Sequence, residues 1–291
     1  MERELMQICT YLTPRVTETV AYYHANGAKI EEIRLRRDGM LSFTSEGKTL
    51  PTRVMLSAKE FETNFLSLTQ YSLYTHTETL RAGFFQVAGG YRIGVCGKAI
   101  LEDGCIRSLA AVDSLNIRIP YRPSGISGAV CHRLQEIFPT GGLIFSSPGG
   151  GKTTLLSDIA LTLSGEPKFR RVSVIDSRGE ICFGAVGAHA LDVLHGYPKA
   201  MGMEIATRTL SPEYILCDEI GTGKEAEAML GAMHAGVAVI ATTHASSLQE
   251  LFAKEWVVHM HAQHVFGAYI HITREHGGFQ YRTVLAKEVL L

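Results

Sequence analysis

The stretch LIFSSPGGGKTTLLSDIA, residues 143–160, decides the fold of this chain. An apolar run leads into a glycine-rich turn, a lysine, two threonines and a helix-forming segment. This is close to the pattern G-x-x-x-x-G-K-[ST], in which a loop between a strand and a helix surrounds a phosphate with backbone N–H groups. Ser146 replaces the first glycine, and serine is small enough for the end of a strand. We therefore predict a P-loop (Walker A) nucleotide site.

The residues of this loop have distinct predicted roles. Lys152 would reach the β- and γ-phosphates, and the hydroxyl of Thr153 would ligate Mg²⁺. The N-terminus of the following helix adds partial positive charge. The nucleotide-binding residues predicted in the loop are Ser147, Pro148, Gly149, Gly150, Gly151, Lys152, Thr153 and Thr154.

A second apolar strand, in YILCDEIG at 214–221, ends in two carboxylates. Asp218 would hold Mg²⁺ through a water molecule, and Glu219 would polarise the attacking water. A built-in carboxylate base is typical of ATPases, and the chain contains no N-K-x-D string of the kind that reads guanine. We therefore predict an ATPase with ATP and Mg²⁺ as cofactors and with Glu219 and Lys152 as catalytic residues.

Two further strands also end in polar residues. VIDSRGEI (174–181) places Arg178 and Glu180 beyond a strand, and VIATTHAS (239–246) ends in His244. Ligands of parallel sheets gather at the carboxyl ends of the strands, so these three residues join the predicted nucleotide-binding set. His244 would sense the γ-phosphate, and a purely structural strand-end histidine is the alternative.

Two other short segments of the sequence resemble functional motifs. Gly223–Lys224 is followed by Glu225 in place of serine or threonine, so we expect no phosphate loop there. His259, His261 and His264 lie close together, and the first two would share a face of a strand. No acidic residue or cysteine is near them, which favours structural histidines over a metal site.

The pattern of predicted strands and helices changes near residue 120. Before it, short β-like runs alternate with turns, EDG at 102–104 indicates a hairpin, and helical patterns occur near 5–25 and 58–73. After it, apolar strands alternate with helices, which is typical of a parallel sheet covered on both faces. The strands are predicted at 142–146, 172–176, 214–217 and 237–242.

These patterns predict two domains. We expect a smaller α+β domain at 1–120, a linker rich in proline and glycine at 121–128, and an α/β P-loop domain with a parallel sheet at 129–291.

The composition limits the classes of function. The chain has 291 residues, 46% of them hydrophobic, and a formal net charge of −1, so no overall field draws it to nucleic acid or anionic lipid. Its six cysteines are scattered without a C-x-x-C pair, and no apolar run is long enough to span a membrane. We expect a cytoplasmic protein that acts at a membrane only through a partner.

Several strings occur together in the order typical of one family. They are GGYRIGVCGKAI (89–100), SLNIRIP (114–120), the phosphate loop, VIDSRGEI, SPEYILCDEIG (211–221) and AEAMLGAMHAGVAVIATTHASS (226–247). In this combination the chain resembles the stage III sporulation protein AA family, within the type II/IV secretion ATPase superfamily. The resemblance covers roughly residues 70 to 250 and implies a RecA-like core of the ASCE type.

The resemblance also implies a function in endospore formation. The chain would be the ATP-hydrolysing motor of a secretion-type channel complex, assembled as a ring, expected to be a hexamer, and docked on a membrane protein of that complex. It would lie in the cytoplasm, peripheral to the mother-cell side of the forespore membrane. An arginine of the first domain would contact the phosphates, for which Arg92 and Arg118 are candidates; Arg208, before the DE strand, is another.

Two alternatives share the same nucleotide site. A RecA-like nucleic-acid motor is disfavoured because the first domain is close to neutral and lacks aromatic residues interleaved with basic ones, so we expect no nucleic-acid partner. A scaffold that binds ATP without hydrolysing it remains open because of Ser146, although Glu219 argues against it.

Overall fold

The computed structural model describes most of the chain, in two compact units, Met1–Arg122 and Pro123–Leu291. The described residues are 2–72, 77–87, 91–120, 125–128, 130, 140–167, 169–177, 179, 181, 190–275 and 278–289. The predicted linker at 121–128 lies partly outside them, and its role as a linker stays a prediction. Within its described part, the backbone N–H groups of Gly125 and Ser127 donate to the carboxylate of Asp158 at 3.0 and 2.7 Å.

The first unit contains an antiparallel sheet and helices. Its elements are α1 (Glu2–Cys9), α2 (Pro14–Ala25), β1 (Ile30–Arg36), β2 (Gly39–Ser45), β3 (Lys48–Leu56), α3 (Ala58–Leu68), α4 (Thr77–Arg81), β4 (Phe84–Val87), β5 (Tyr91–Glu102) and β6 (Cys105–Arg118). The sheet has the order β3-β2-β1-β6-β5-β4. Ile33 and Leu35 of β1 pack with Val16 and Val20 of α2 in one buried cluster, so the unit has its own core.

Two details of this unit follow from local backbone chemistry. The predicted hairpin is confirmed, because Asp103 and Gly104 take φ values of 52° and 77° between β5 and β6, as a tight two-residue hairpin turn requires. The helical pattern near 5–25 is two helices instead of one. Pro14 occupies the first turn of α2, where its missing N–H costs nothing, and the extended backbone of Thr13 precedes it.

The second unit contains a seven-stranded sheet with helices. Its elements are β7 (Gly142–Ser146), α5 (Lys152–Ser164), β8 (Val172–Asp176), β9 (Leu191–His195), α6 (Lys199–Thr209), β10 (Tyr214–Cys217), α7 (Gly223–His234), β11 (Ala238–His244), α8 (Leu248–Phe252), α9 (Glu255–Ala262), β12 (Ala268–Glu275), β13 (Gly278–Leu285) and a 3₁₀ turn, Ala286–Glu288. The order is β13-β12-β7-β11-β10-β8-β9. All neighbours are parallel except β12 and β13.

The sheet of the second unit is buried on both faces. All five residues of β7 are buried. Ile144 packs with Leu155 and Ile159 of α5 on one face. On the other face, Phe145 belongs to a cluster that includes residues of α6, α7 and α9. The predicted parallel sheet with helices on both faces is confirmed, and the four predicted strands are present, the last of them as β11.

The strand order brings four strand ends to one edge. β7, β11, β10 and β8 are consecutive neighbours. In register, Ser146 lies opposite His244, Ala241 opposite Cys217, and Cys217 opposite Ile175. The phosphate loop and the polar residues that follow the other strands therefore emerge side by side.

The packing of α6 on β8 generates a stability prediction. A methyl group added at buried Gly202 would lie 2.7 Å from Cγ2 of Ile175. We expect Gly202→Ala to lower the free energy of unfolding by about 1–3 kcal/mol, because a close-packed core must shift to accept the extra atom. Urea unfolding monitored by circular dichroism measures the change.

Gly231→Ala is the matched control, since Gly231 lies within α7 and a methyl group there has nothing within 4 Å. Alanine should be neutral at this site or stabilise the helix by up to about 1 kcal/mol. Equal effects of the two substitutions would contradict the packing of α6 described above.

Candidate nucleotide-binding site

The loop between β7 and α5 has the backbone that a phosphate loop needs. Gly149 and Gly151 take φ values of 71° and 84°, in the left-handed region that favours glycine. Gly150 lies against Ser146, because a Cβ at this glycine would be 2.3 Å from the serine Oγ. Ser146 itself is the buried last residue of β7, so its position does not call for the conformational freedom of glycine. The loop therefore accommodates the departure from the G-x-x-x-x-G-K-[ST] pattern.

The N-terminus of α5 is suited to an anion. Gly151 is its N-cap residue, no described side chain caps it, and its first turn has no acidic residue. By contrast, α7 is capped by the side chain of Thr222 and carries Glu225 in its first turn. Free N–H groups at a helix N-terminus favour negative charge. The residues present at α5 therefore fit a phosphate group.

The side chain of Lys152 is folded into the loop. The residue is 5% exposed. Its Nζ lies 3.2 Å from the carbonyl oxygens of Ser146 and Ser147, 3.3 Å from Oγ of Ser146 and 2.9 Å from Nδ1 of His244. Burial lowers the pKa of Lys152, and nearby Asp218 and Glu219 oppose that shift. The loop thus holds a cation whose neighbours in direct contact are neutral oxygens and an imidazole nitrogen.

The carboxylate of Asp218 joins β10 to the start of α5. Its Oδ2 accepts a hydrogen bond from Oγ1 of Thr153 at 2.6 Å. Its Oδ1 accepts from the hydroxyl of Thr242 and, at 2.9 Å, from the backbone N–H of Glu219. A threonine hydroxyl and a carboxylate in contact beside a phosphate loop are oxygen ligands of the kind that Mg²⁺ prefers. The two residues predicted to hold the metal are therefore together.

Glu219 has a constrained position next to the loop. Its φ of 49° is unusual for a residue with a side chain. Its N–H also donates to Oγ1 of Thr242 at 2.8 Å, and its carbonyl oxygen accepts from Nζ of Lys199. Lys199 in turn forms an ion pair with Glu225 at 3.7 Å. Hydrogen bonds to both the N–H and the carbonyl group of Glu219 therefore fix the direction of its side chain.

His244 connects the carboxylate of Glu219 to the loop lysine. Its Nε2 lies 2.8 Å from Oε1 of Glu219, and its Nδ1 faces the amine of Lys152. An ammonium group has only protons to offer, so Nδ1 accepts and Nε2 carries the proton that is donated to Glu219. The structure thus brings together three residues that are predicted from separate motifs.

The remaining predicted residues outside the loop are Arg178, Glu180, Arg92, Arg118 and Arg208. Arg178 and Glu180 are outside the described residues, and their roles stay predictions. Arg92 and Arg118 are exposed register partners on β5 and β6 of the first unit, and the Arg92 guanidinium lies 3.9 Å from the Phe84 ring centroid. Their contact with phosphates stays a prediction. Arg208 is exposed in the last turn of α6.

The second glycine–lysine pair has a structural role, as the sequence predicts. Gly223 begins α7, and the side chain of Glu225 accepts the backbone N–H groups of Gly221 and Thr222 at 3.0 and 2.9 Å. These hydrogen bonds to backbone and the nearby Lys199 hold the pKa of Glu225 below its ordinary value, against the opposing effect of burial. A side chain of the protein itself thus occupies this helix N-terminus.

The histidine cluster lies at the end of a helix, so the shared strand face considered for His259 and His261 is wrong. Both residues belong to α9, where neighbours two positions apart point in different directions. Nδ1 of His261 lies 2.8 Å from the hydroxyl of Tyr269. Within the part of the chain that the structure describes, no cluster of three His, Cys, Asp or Glu side chains could hold a metal ion.

Sequence reasoning missed two lysines of the site. Lys199 holds the carbonyl of Glu219, and Lys254 donates to the carbonyl of His244 and, at 3.1 Å, to Oγ1 of Thr243. Neither lysine belongs to a recognisable motif, because each reaches the strand ends from a separate helical segment. Only the folded arrangement identifies them.

Together, the fold and the site define an α/β P-loop NTPase domain. Solved ATPases superpose on the chain: the Legionella pneumophila ATPase DotB (TM-score 0.59, 19% identity, 94% of this chain and 82% of that chain) and the pilus retraction motor PilT with bound ADP (0.61, 16%, 91% and 82%). At these identities the similarity concerns the fold, and it confirms the predicted RecA-like architecture.

The family follows from sequence comparison. The family described as "Sporulation stage III, protein AA" matches residues 2–287. Stage III sporulation protein AA of Bacillus subtilis (strain 168) is 32% identical over 258 residues, which cover 86% of this chain and 84% of that protein. The chain belongs to the sporulation stage III protein AA family.

None of the helices in the described part of the chain combines the length and the apolar character that a crossing of the bilayer requires.

The depressed pKa of Lys152 predicts a pH dependence of stability. In the folded protein this pKa lies below the value of 10.5 found for a free lysine side chain. Between the two values the unfolded chain binds more protons, so the free energy of unfolding rises with pH. We expect the stability of the wild type relative to Lys152→Met to increase as the pH rises towards 10.5, the pKa of a free lysine side chain.

Urea unfolding of both proteins at each pH measures that difference, and titrating groups far from Lys152 cancel in it. A difference that stays constant or decreases with pH would contradict the burial of the Lys152 charge.

Proposed function

We propose that this protein hydrolyses ATP to ADP and phosphate. The observation that carries the proposal is the chain of contacts from Lys152 through His244 to Glu219, with the two distances 2.9 and 2.8 Å. It sets a phosphate-binding cation and a candidate general base at one strand edge, beside a helix N-terminus that fits an anion. Phosphoryl transfer depends on this combination of positioning and electrostatic stabilisation.

The loop residues would bind the triphosphate. Backbone N–H groups of residues 147–154 would face the phosphates, and the amine of Lys152 would exchange the carbonyl oxygens of Ser146 and Ser147 for phosphate oxygens. Such an exchange is favourable, because a buried cation gains more from an anion than from neutral acceptors. Thr153 and Asp218 would hold Mg²⁺, which supplies charge neutralisation on the phosphate oxygens when bound.

Glu219 would act as the general base. Its carboxylate lies immediately after β10, and the contacts of its backbone to Thr242 and Lys199 fix its position. Once Lys152 turns to a phosphate, His244 loses a donor at Nδ1 while it keeps its contact with Glu219. His244 would in this way report the presence of the γ-phosphate to the base.

The biological setting is proposed from the family. We place the protein in endospore formation, as the motor of a secretion-type channel complex. It would form a ring, most simply a hexamer, in the cytoplasm at the mother-cell side of the forespore membrane, docked on a membrane protein of the complex. Arg92 or Arg118 would complete the phosphate site, and no nucleic acid would take part.

The test of this proposal is steady-state hydrolysis of ATP by the wild type and by Glu219→Gln. We expect the variant to retain ATP affinity within about twofold and to lose turnover by at least about 100-fold, as for removal of a general base. Glu227→Gln, an exposed carboxylate of α7, is the matched control and should be active. Equal loss of ATP binding in Glu219→Gln would contradict the role of Glu219.

The same assay separates the competing functions. Addition of single-stranded DNA should leave turnover unchanged, whereas strong stimulation with a steep salt dependence would indicate a nucleic-acid motor. ATP binding without turnover, in the presence of membranes that contain the channel proteins as well as without them, would indicate a scaffold.

A further inference from the structure

The hairpin of β12 and β13 extends beyond the edge of the sheet at which the phosphate loop lies. β12 pairs in parallel with β7 up to His271, which lies opposite Phe145. β7 ends one residue later, whereas β12 continues to Glu275 and remains paired with β13 up to Gly278. At about 3.3 Å per residue, the hairpin projects roughly 10 Å past the end of β7.

The face of this hairpin that covers α5 leads directly to the loop. Ile270 and Ile272 of β12 are buried with Leu155 and Ile159 of α5. Side chains alternate along a strand and paired residues share a face, so Arg274 and its partner Phe279 continue this face past the start of α5. The last described pair of side chains on the α5 face is thus an aromatic ring and a guanidinium.

Phe279 lies beside the loop. Its ring is close enough that a Cβ at Gly151 would lie 3.4 Å from its Cε1 and 3.6 Å from its Cζ. The residue is nevertheless 44% exposed. Arg274 lies over the ring, with its guanidinium carbon 5.8 Å from the centroid. A partly exposed aromatic ring therefore lies next to the phosphate loop.

We propose that Phe279 is the stacking surface for the nucleobase. This inference rests on the proposed nucleotide site and deepens it. When the loop N–H groups hold the phosphates, the sugar and base extend from the loop, and the aromatic side chain beside Gly151 offers a flat apolar surface. Stacking would bury the exposed part of the ring, and the guanidinium of Arg274 provides a cation next to it.

Recognition by stacking is tolerant of the base, because every base has a π-face. Phe279 should therefore contribute to the binding of ATP and GTP alike and contribute nothing to inorganic tripolyphosphate, which has the phosphates but no base. This difference separates a base platform from a ring that only supports the loop.

The experiment is calorimetric titration of the full chain with ATP, GTP and inorganic tripolyphosphate, each with Mg²⁺. We expect Phe279→Ala to weaken ATP and GTP binding by about 5- to 150-fold, the range for loss of a stacked base, and to change tripolyphosphate affinity by less than twofold. Phe279→Trp should restore nucleotide affinity. Phe169→Ala, which removes a ring that is 48% exposed past the far end of α5, is the matched control and should behave as the wild type.

The outcomes distinguish this inference from the proposed function. Equal weakening of all three ligands in Phe279→Ala, or no weakening of any, would overturn the stacking role and leave the nucleotide site standing. Failure of the wild type to bind both ATP and tripolyphosphate would overturn the nucleotide site itself.

Discussion

The site depends on one buried charge. The Lys152 amine lies inside the loop that its own chain forms, and its contacts are two carbonyl oxygens, a serine hydroxyl and an imidazole nitrogen. A cation removed from water is costly unless it is paired, and these neutral partners compensate only part of that cost. The part of this cost that is not compensated appears as the lowered pKa of Lys152. Under the proposed function, a triphosphate would offer the missing negative charge, and the protein without nucleotide would already contain the driving force for binding it.

The strand order of the sheet explains why Asp218 and Glu219 lie near the Lys152 amine. β11 lies between β7 and β10, so Thr242 and His244 separate the loop from Asp218 and Glu219 and connect the two. Thr242 donates to Asp218 and accepts from Glu219, whereas His244 spans from Glu219 to Lys152. Under the proposed function, a change at the phosphates would reach Glu219 through His244, without any change in the sheet.

The sequence is informative where the chemistry is local. The loop, the parallel strands and the acidic strand end are contiguous strings whose residue types leave few alternatives, and the structure has all of them. Ser146 was the doubtful position, and it fits because it is the last residue of β7 and has strand backbone. The hairpin at 102–104 is equally local, since two residues with positive φ define it.

The features that could not be predicted from the sequence depend on contacts between residues that are far apart in the chain. Lys199 reaches the strand ends from the start of α6, and Lys254 reaches them from the short connection between α8 and α9. Phe279 lies near Gly151 although the two are far apart in the sequence. No periodicity or spacing connects such pairs. The helix at His259 was missed for another reason: in a short apolar segment, helix and strand patterns are hard to tell apart.

The central claim is that the buried Lys152 amine is what binds the phosphates. Calorimetric titration of MgATP into Lys152→Ala and Lys224→Ala tests it most directly, because Lys224 belongs to the glycine–lysine pair that imitates the loop. The account predicts loss of affinity by at least about tenfold in Lys152→Ala, since a hydrogen bond to a charged group contributes about 1.5–3 kcal/mol, and no change in Lys224→Ala. Wild-type affinity in Lys152→Ala would contradict it.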